Sequence, residues 1–130
     1  MASWYSPSYS PRTDLLYVAT RESGSIYFLG EAEYKEGEQF NRGGFRSIPD
    51  EEEYGAIRAL HPATGAVAWE YNLFTPPWAG VLSTAVNLVF RATNEGQAFA
   101  LQASTRKPLW RYRAGGMARA IPVSYTSDGK

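Results

Sequence analysis

Apolar residues in this chain occur in short runs that Gly, Pro, Asn and Ser interrupt. β-branched and aromatic side chains fill the runs, and this pattern is typical of strands joined by tight turns. The pattern predicts strands at residues 14–20, 25–30, 55–61, 66–72, 80–84, 87–93, 97–102, 108–113 and 120–125. Residues 62–65, with the sequence PATG, predict a turn in which Gly65 takes a positive φ. No segment predicts a helix, so the expected fold class is all-β.

A repeat organises these strands. Residues 55–71 read GAIRALHPATGAVAWEY and residues 96–112 read GQAFALQASTRKPLWRY, so the two copies stand 41 positions apart and share six identical residues. One of the identities is a pair of tryptophans, Trp69 and Trp110. A period of roughly 40 to 45 residues is the length of a four-stranded propeller blade. The repeat therefore predicts blades of a β-propeller.

A second match shows that the first blade carries an insertion. Residues 15–20 read LLYVAT and residues 88–93 read LVFRAT, 73 positions further on. The additional length lies between Thr20 and Gly55, where the second blade has only Asn94 and Glu95. We expect an insertion of this kind to form a loop on one face of the propeller. The predicted organisation of residues 1–130 is one partial propeller of two to three blades, comprising a blade with an insertion at about 21–54, a second at about 79–112 and the start of a third at 113–130.

Composition excludes several classes of function. The chain has 130 residues, no Cys, one His and 13 charged side chains of each sign. These counts argue against a disulfide framework, a zinc–thiolate site and a strongly basic nucleic-acid surface. No run of about 18 apolar residues predicts a membrane span, and the first residues have no visible secretory signal. Aromatic residues, at 15%, are the abundant class.

The balance of charge hides an asymmetry. Residues 21–54 hold nine acidic and four basic side chains, a net charge of −5, whereas residues 91–130 hold seven basic and two acidic ones, a net charge of +5. The simplest interpretation is a solvated acidic loop beside a basic strand surface. We expect residues 50–53 (DEEE) to be solvated as well, because consecutive carboxylates rarely converge on one ion.

Trp78 is the candidate binding residue. Trp69 and Trp110 recur at the repeat period, so we expect them to pack within and between blades, opposite the small residues Ala59 and Ala100. Trp78 lies outside the repeat, in the sequence TPPWAG, where two prolines fix the backbone before it. It faces either a neighbouring blade or a ligand.

The repeats resemble a known family. ALHPATGAVAWEY and ALQASTRKPLWRY resemble the tryptophan-docking repeats of the pyrroloquinoline quinone (PQQ)-dependent alcohol dehydrogenases, which are eight-bladed propellers. TPPWAGVLSTAVNLVFRATNEGQAFAL, SWYSPSYSPRTDLLYV and IPVSYTSDGK resemble stretches of their late blades. The resemblance covers nearly all of the chain and implies a C-terminal fragment of about two and a half blades.

The resemblance assigns Trp78 to the tryptophan that contacts PQQ near the edge of the quinone. Ser3 stands where the family has an Asn that touches the cofactor. In the docking motif the family usually has Asp where His61 and Gln102 stand and Gly where Arg106 stands. His61 is therefore interpreted as a turn substitution rather than a catalytic base.

The resemblance implies PQQ and calcium as cofactors, cytochrome c as electron acceptor and a periplasmic location for the parent enzymes. The calcium ligands, the catalytic Asp, a disulfide between adjacent cysteines and the Trp stacked on the quinone come from earlier blades of that family and have no counterpart here. We therefore expect no catalytic or metal-ligating residue in this chain, and no dehydrogenase activity from the chain alone. Partners would be the remaining blades or further copies of the chain, because a partial propeller exposes strand edges.

Two alternatives stay open. One is a non-enzymatic propeller scaffold for protein interaction, because similar Trp repeats occur in outer-membrane assembly proteins. The other is a sugar-binding β module, suggested by the aromatic residues Tyr5, Tyr9, Tyr34 and Tyr54. Neither alternative accounts for all the features: the scaffold does not require Trp78 in its Pro-Pro context, and the sugar-binding module does not explain the repeat.

Overall fold

The structure of the chain is a computed structural model that describes Ala2 and residues 4–128. Ten strands, all in antiparallel pairs, make up its secondary structure. The strands are β1 (Ser8–Ser10), β2 (Leu15–Glu22), β3 (Ser25–Leu29), β4 (Gly43–Ser47), β5 (Tyr54–Leu60), β6 (Val67–Leu73), β7 (Leu82–Ser83), β8 (Leu88–Ala92), β9 (Gln97–Gln102) and β10 (Pro108–Arg113). The described residues contain no helix long and apolar enough to cross a membrane. The all-β prediction is confirmed.

The strands build two sheets of four and one hairpin. The first sheet has the order β1-β2-β5-β6, the second has the order β10-β9-β8-β7, and β3 pairs only with β4. Each four-stranded sheet contains the hairpin that the repeat predicts. The turns of the two hairpins have the same hydrogen bonds, because the amides of Gly65 and Arg106 donate to the carbonyls of His61 and Gln102 at 2.8 and 2.9 Å.

The core lies between the two four-stranded sheets. Tyr17 and Ile57 of the first sheet are fully buried together with Val89 and Leu101 of the second. Leu15 and Tyr17 are buried in β2, whereas Val89 and Arg91 are buried in β8, so the alternation along equivalent strands has the opposite phase. This inversion arises because each sheet turns a different face to its neighbour, as consecutive propeller blades do.

The repeated Ala–Trp pairs are direct partners across the strands. Ala59 of β5 pairs with Trp69 of β6, and Ala100 of β9 pairs with Trp110 of β10. Trp69 is buried as predicted, but Trp110 is 48% exposed, so the prediction that it packs in the core is wrong for the described residues. Trp110 instead stacks on Tyr112 at 6.0 Å, since no described strand covers the outer face of β10.

The structure differs from the predicted strands at three places. β1 and β4 were not predicted: both are short, Ser10 is the one buried residue of β1, and β4 is mostly exposed. The strand predicted at 120–125 does not form. No strand pairs with this segment in the described chain, and Pro122 has no amide hydrogen to donate.

The acidic insertion is more ordered than the expected solvated loop. Residues of β3 and β4 pair in register from Ser25–Ser47 to Leu29–Gly43, and Tyr27 packs on Phe45 at 6.0 Å. Both rings are more than 70% exposed. The charged residues at 31–38, in the loop between β3 and β4, and those at 50–53, after β4, are solvent-exposed.

Candidate functional site

Trp78 stands on a connection between the two sheets that is fixed on both sides. On one side, a Cβ atom at Gly55 would lie 2.5 Å from Cδ of Pro77, so only glycine allows this approach of β5. On the other side, Nδ2 of Asn94 donates to the carbonyl of Pro76 at 3.0 Å, and Thr75 donates to Glu95. The backbone that presents Trp78 is therefore held by both sheets.

The indole of Trp78 lies against two arginines and a tyrosine. The guanidinium carbons of Arg21 and Arg119 lie 4.7 and 5.7 Å from the centre of the indole. The ring of Tyr5 meets Trp78 edge-on, with centroids 6.5 Å apart and an interplanar angle of 75°. Trp78 is 37% exposed, so one part of the ring packs on the protein and another part is open to solvent.

The N-terminal segment is packed beside this indole. The amide of Val81 donates to the carbonyl of Ser6 at 3.3 Å, and a Cβ atom at Gly80 would approach that carbonyl to 2.7 Å. Tyr5 is only 4% exposed, in contrast to its interpretation as an exposed aromatic residue of a sugar-binding module. Trp4 is exposed and packs on Tyr5 at 4.8 Å. Ser3 lies outside the described residues.

Arg91 is a buried cation behind this site. Its side chain is 1% exposed, and none of its three guanidinium nitrogens has a hydrogen-bond partner among the described residues. Burial lowers the pKa of Arg91 to about 10, although its electrostatic interactions with Tyr5 and Glu95 act in the opposite direction. The guanidinium therefore stays charged at neutral pH.

Glu95 is the acidic neighbour of this group of cations. Partial burial acts to raise the pKa of Glu95, but hydrogen bonds from Thr75 and Thr93, together with the charge of Arg91, outweigh burial and lower it. The carboxylate is thus ionised at neutral pH and tied to the connection that carries Trp78. Around Trp78 the three arginines face the one carboxylate of Glu95, while Glu22, next to Arg21 at the end of β2, forms an ion pair with Arg58.

The turn between β8 and β9, residues 93–96, is the common anchor of the site. It contacts the 75–78 connection through Asn94 and Glu95, and the carbonyls of Thr93 and Gly96 accept hydrogen bonds from the amides of Ala118 and Ala114 at 3.3 and 2.7 Å. These contacts hold the segment that carries Arg119. The end of β2, the 75–78 connection and the 114–119 segment therefore converge on one place.

The remaining candidates lie elsewhere. His61 is exposed at the turn after β5, where its carbonyl accepts the amide hydrogen bonds of Thr64 and Gly65. Residues 50–53 are exposed. Among the described residues, no group of three or more His, Asp or Glu side chains is arranged to hold a metal ion.

Sequence reasoning singled out Trp78 but missed the three arginines. Arg91 had a visible signal, because it interrupts an otherwise apolar strand, LVFRA, at a position where the first blade has Val18. Arg21 and Arg119 gave no such signal. They lie 57 and 41 positions from Trp78 in the sequence, and only the tertiary fold brings them to its ring.

Known proteins are similar to this chain in sequence and in fold. Residues 53–127 match the family PQQ_2, described as outer membrane protein assembly factor BamB. A quinoprotein ethanol dehydrogenase from Pseudomonas putida is 37% identical over 129 residues, which are 98% of this chain and 21% of that protein.

Two solved structures have the same architecture. The structure of quinohemoprotein alcohol dehydrogenase ADHIIG from Pseudomonas putida matches 98% of this chain and 21% of its own, with a TM-score of 0.80 and 28% identity. A europium-containing methanol dehydrogenase matches 92% of this chain and 21% of its own, with a TM-score of 0.83 and 28% identity. The chain thus spans about a fifth of the length of these proteins.

Proposed function

This chain belongs to the PQQ_2 family, with the partial-propeller fold of quinoprotein alcohol dehydrogenases, and we propose that it forms two blades of such an enzyme and one wall of its quinone site. The observation that carries this proposal is Trp78, which the fold holds between the two sheets with part of its ring open. The resemblance assigns this residue to the cofactor contact. The chain contributes binding and orientation, and the base that takes the proton of the alcohol lies in the earlier blades of the related enzymes.

The residues at Trp78 suit PQQ. When bound in an alcohol dehydrogenase, PQQ accepts the two electrons and the hydrogen removed from the alcohol. PQQ is a planar aromatic ring system with three carboxylate groups, so it requires an aromatic contact and positive charge. Trp78 and its neighbouring arginines offer both. The family resemblance adds calcium, whose ligands come from earlier blades, and the europium-containing methanol dehydrogenase shows that one relative holds a lanthanide instead.

Titration with PQQ tests this assignment. We expect PQQ to quench the tryptophan fluorescence of the chain, and we expect most of the quenching to disappear in Trp78→Phe. Trp110→Phe is the matched control, because Trp110 is similarly exposed but lies on β10, away from the 75–78 connection. Equal quenching in the wild type and Trp78→Phe would show that PQQ does not contact Trp78.

The chain alone is expected to lack dehydrogenase activity. The base and calcium ligands of the family have no counterpart in it, and no metal-binding group is present among residues 2 and 4–128. Dye reduction with an alcohol, PQQ and calcium measures this directly. Activity that is lost in Trp78→Ala would contradict the proposal of a cofactor-binding wall without a catalytic base.

The parent protein is proposed to be periplasmic and to pass electrons to a cytochrome c. The remaining blades, or further copies of this chain, would cover the exposed residues of β10, which include Leu109, Trp110 and Tyr112. We therefore expect the chain alone to self-associate at micromolar concentration. A monomeric mass from light scattering would contradict this expectation.

A propeller scaffold for protein interaction is the second candidate function. The observation that favours it is the description of the PQQ_2 family as an outer membrane protein assembly factor. A scaffold needs neither PQQ nor Trp78, so the fluorescence titration separates the two functions. Absence of quenching by PQQ would favour the scaffold.

A further inference from the structure

Arg21 and Arg119 are placed to recognise anions beside Trp78. Arg21 belongs to β2, at the end of the strand where the insertion begins, and Arg119 belongs to the segment after β10. The two residues approach one indole from separate elements, with guanidinium carbons 4.7 and 5.7 Å from the ring centre. Nε of Arg119 donates to Sδ of Met117 at 3.2 Å, and a guanidinium over an aromatic ring still carries further N–H donors. Such groups pair readily with carboxylates.

The surroundings reinforce this placement. Arg91, buried behind Tyr5, adds a third positive charge for which the described residues supply no hydrogen-bond partner. The nearby carboxylate of Glu95 already accepts hydrogen bonds from Thr75 and Thr93. A ligand that enters beside Trp78 therefore meets the guanidinium groups of Arg21 and Arg119 at short range, with Arg91 behind them.

We propose that Arg21 and Arg119 bind carboxylate groups of the quinone cofactor while Trp78 contacts its ring. This inference rests on the proposed function and deepens it, because it assigns recognition of the charged groups to two residues of this chain. It also explains why a rigid connection is needed, since the three side chains form one binding unit only while the 93–96 turn holds the 75–78 and 114–119 segments together.

Charge-removing substitutions and an uncharged ligand test the inference. The ligands are PQQ and its trimethyl ester, which keeps the planar quinone but lacks the three negative charges. Quenching of tryptophan fluorescence gives Kd. We expect Arg21→Gln and Arg119→Gln each to raise Kd for PQQ by about threefold to tenfold, the range for loss of one charge-assisted contact that is partly exposed to solvent. Kd for the trimethyl ester should stay unchanged in both variants.

The matched control is Arg12→Gln. Arg12 lies in the turn between β1 and β2, where it donates to the carbonyl of Ala85 at 3.1 Å, so its removal lowers the net charge equally without touching the site. We expect less than a twofold change in Kd for this variant. An independent measurement is salt: binding of PQQ to the wild type should weaken as ionic strength rises, and binding of the ester should not.

The outcomes separate the inference from the proposed function. If PQQ quenches Trp78 with the same Kd in the wild type and in Arg21→Gln/Arg119→Gln, the arginines do not recognise the carboxylates, although the function stands. If PQQ and the ester bind the wild type equally at all salt concentrations, charge recognition is excluded in the same way. If PQQ quenches no fluorescence from Trp78 in the wild type, the proposed function itself fails.

Discussion

The indole Nε1 of Trp69, in the first sheet, donates a 2.9 Å hydrogen bond to the carbonyl of Ala103, in the turn after β9 of the second sheet. The same carbonyl accepts a 3.1 Å hydrogen bond from the hydroxyl of Tyr17. Both donors are buried and their rings lie 5.7 Å apart. Two aromatic side chains of one blade thus satisfy one backbone acceptor of the next, and this contact fixes how the two sheets stack.

Substitution of Trp69 by Phe should destabilise the chain by about 1–3 kcal/mol. Part of this cost is the buried hydrogen bond, worth about 1 kcal/mol, and the rest is the smaller ring. Tyr17 still satisfies the carbonyl of Ala103, so no buried acceptor is left unpaired. Urea unfolding followed by circular dichroism measures the change.

Trp110→Phe is the control for this substitution, because it changes the equivalent position of the second repeat. Trp110 is 48% exposed and docks on no neighbouring blade in the described chain, so we expect a loss below about 0.5 kcal/mol. Equal losses in the two variants would show that docking between the blades does not stabilise the sheets.

Gly65→Ala should destabilise the chain by about 1 kcal/mol through backbone strain alone. Gly65 has a φ of 72°, and a Cβ atom placed there would meet no atom within 4 Å, so crowding does not contribute. Gly116→Ala is the matched control, because that site is equally open but its φ is not positive. We expect Gly116→Ala to be neutral or slightly stabilising in the same urea experiment.

The repeat predicted the strands and hairpins of the two sheets because these depend on neighbouring residues in the sequence. Gly65 was expected to have a positive φ and does. Arg106, which stands where the resemblance places a glycine, also has a positive φ, of 60°. Turn geometry depends on a few neighbouring residues, so these features are visible in a single sequence.

Gly55 and Gly96 occupy the same position of the repeat, but the repeat does not predict why each is a glycine. Gly96 has a φ of 72° at a turn, whereas Gly55 lies inside β5 and is required because Pro77 approaches it. The two glycines match in the alignment but serve different purposes. The arginines at Trp78 escaped prediction for a related reason: contacts between distant segments depend on how the blades stack, and no local pattern records that stacking.

Arg91→Met should stabilise the chain by about 1–4 kcal/mol. A charged guanidinium buried without a hydrogen-bond partner is costly, and an unbranched apolar side chain fills similar space without that cost. Because a pKa of about 10 keeps Arg91 charged throughout the neutral range, the gain should be constant between about pH 6 and pH 9. The urea midpoint measures it.

The exposed Arg113 of β10 provides the control, since Arg113→Met removes the same charge from the surface and should change stability by less than about 0.5 kcal/mol. A loss of stability in Arg91→Met would mean that the guanidinium has a partner in solution, such as an ordered water or a bound anion. That result would contradict its description as an uncompensated charge.

Thr75→Val should destabilise the chain more at pH 7 than at pH 3. Thr75 donates to Glu95, and its hydrogen bond contributes to lowering the pKa of that carboxyl below its ordinary value. A carboxyl whose pKa is lower in the folded state stabilises the fold above its unfolded pKa of about 4.3, and this contribution disappears as pH falls through the folded pKa. Because the pair is largely exposed, we expect a loss of about 0.5–1 kcal/mol at pH 7.

Thr105→Val separates this effect from simple loss of a hydroxyl, because Thr105 donates at 2.8 Å to the side-chain oxygen of Gln102, which does not titrate in this range. The loss of stability in Thr105→Val should be the same at both pH values. If the loss in Thr75→Val is also independent of pH, the charge of Glu95 does not contribute to its contact with Thr75.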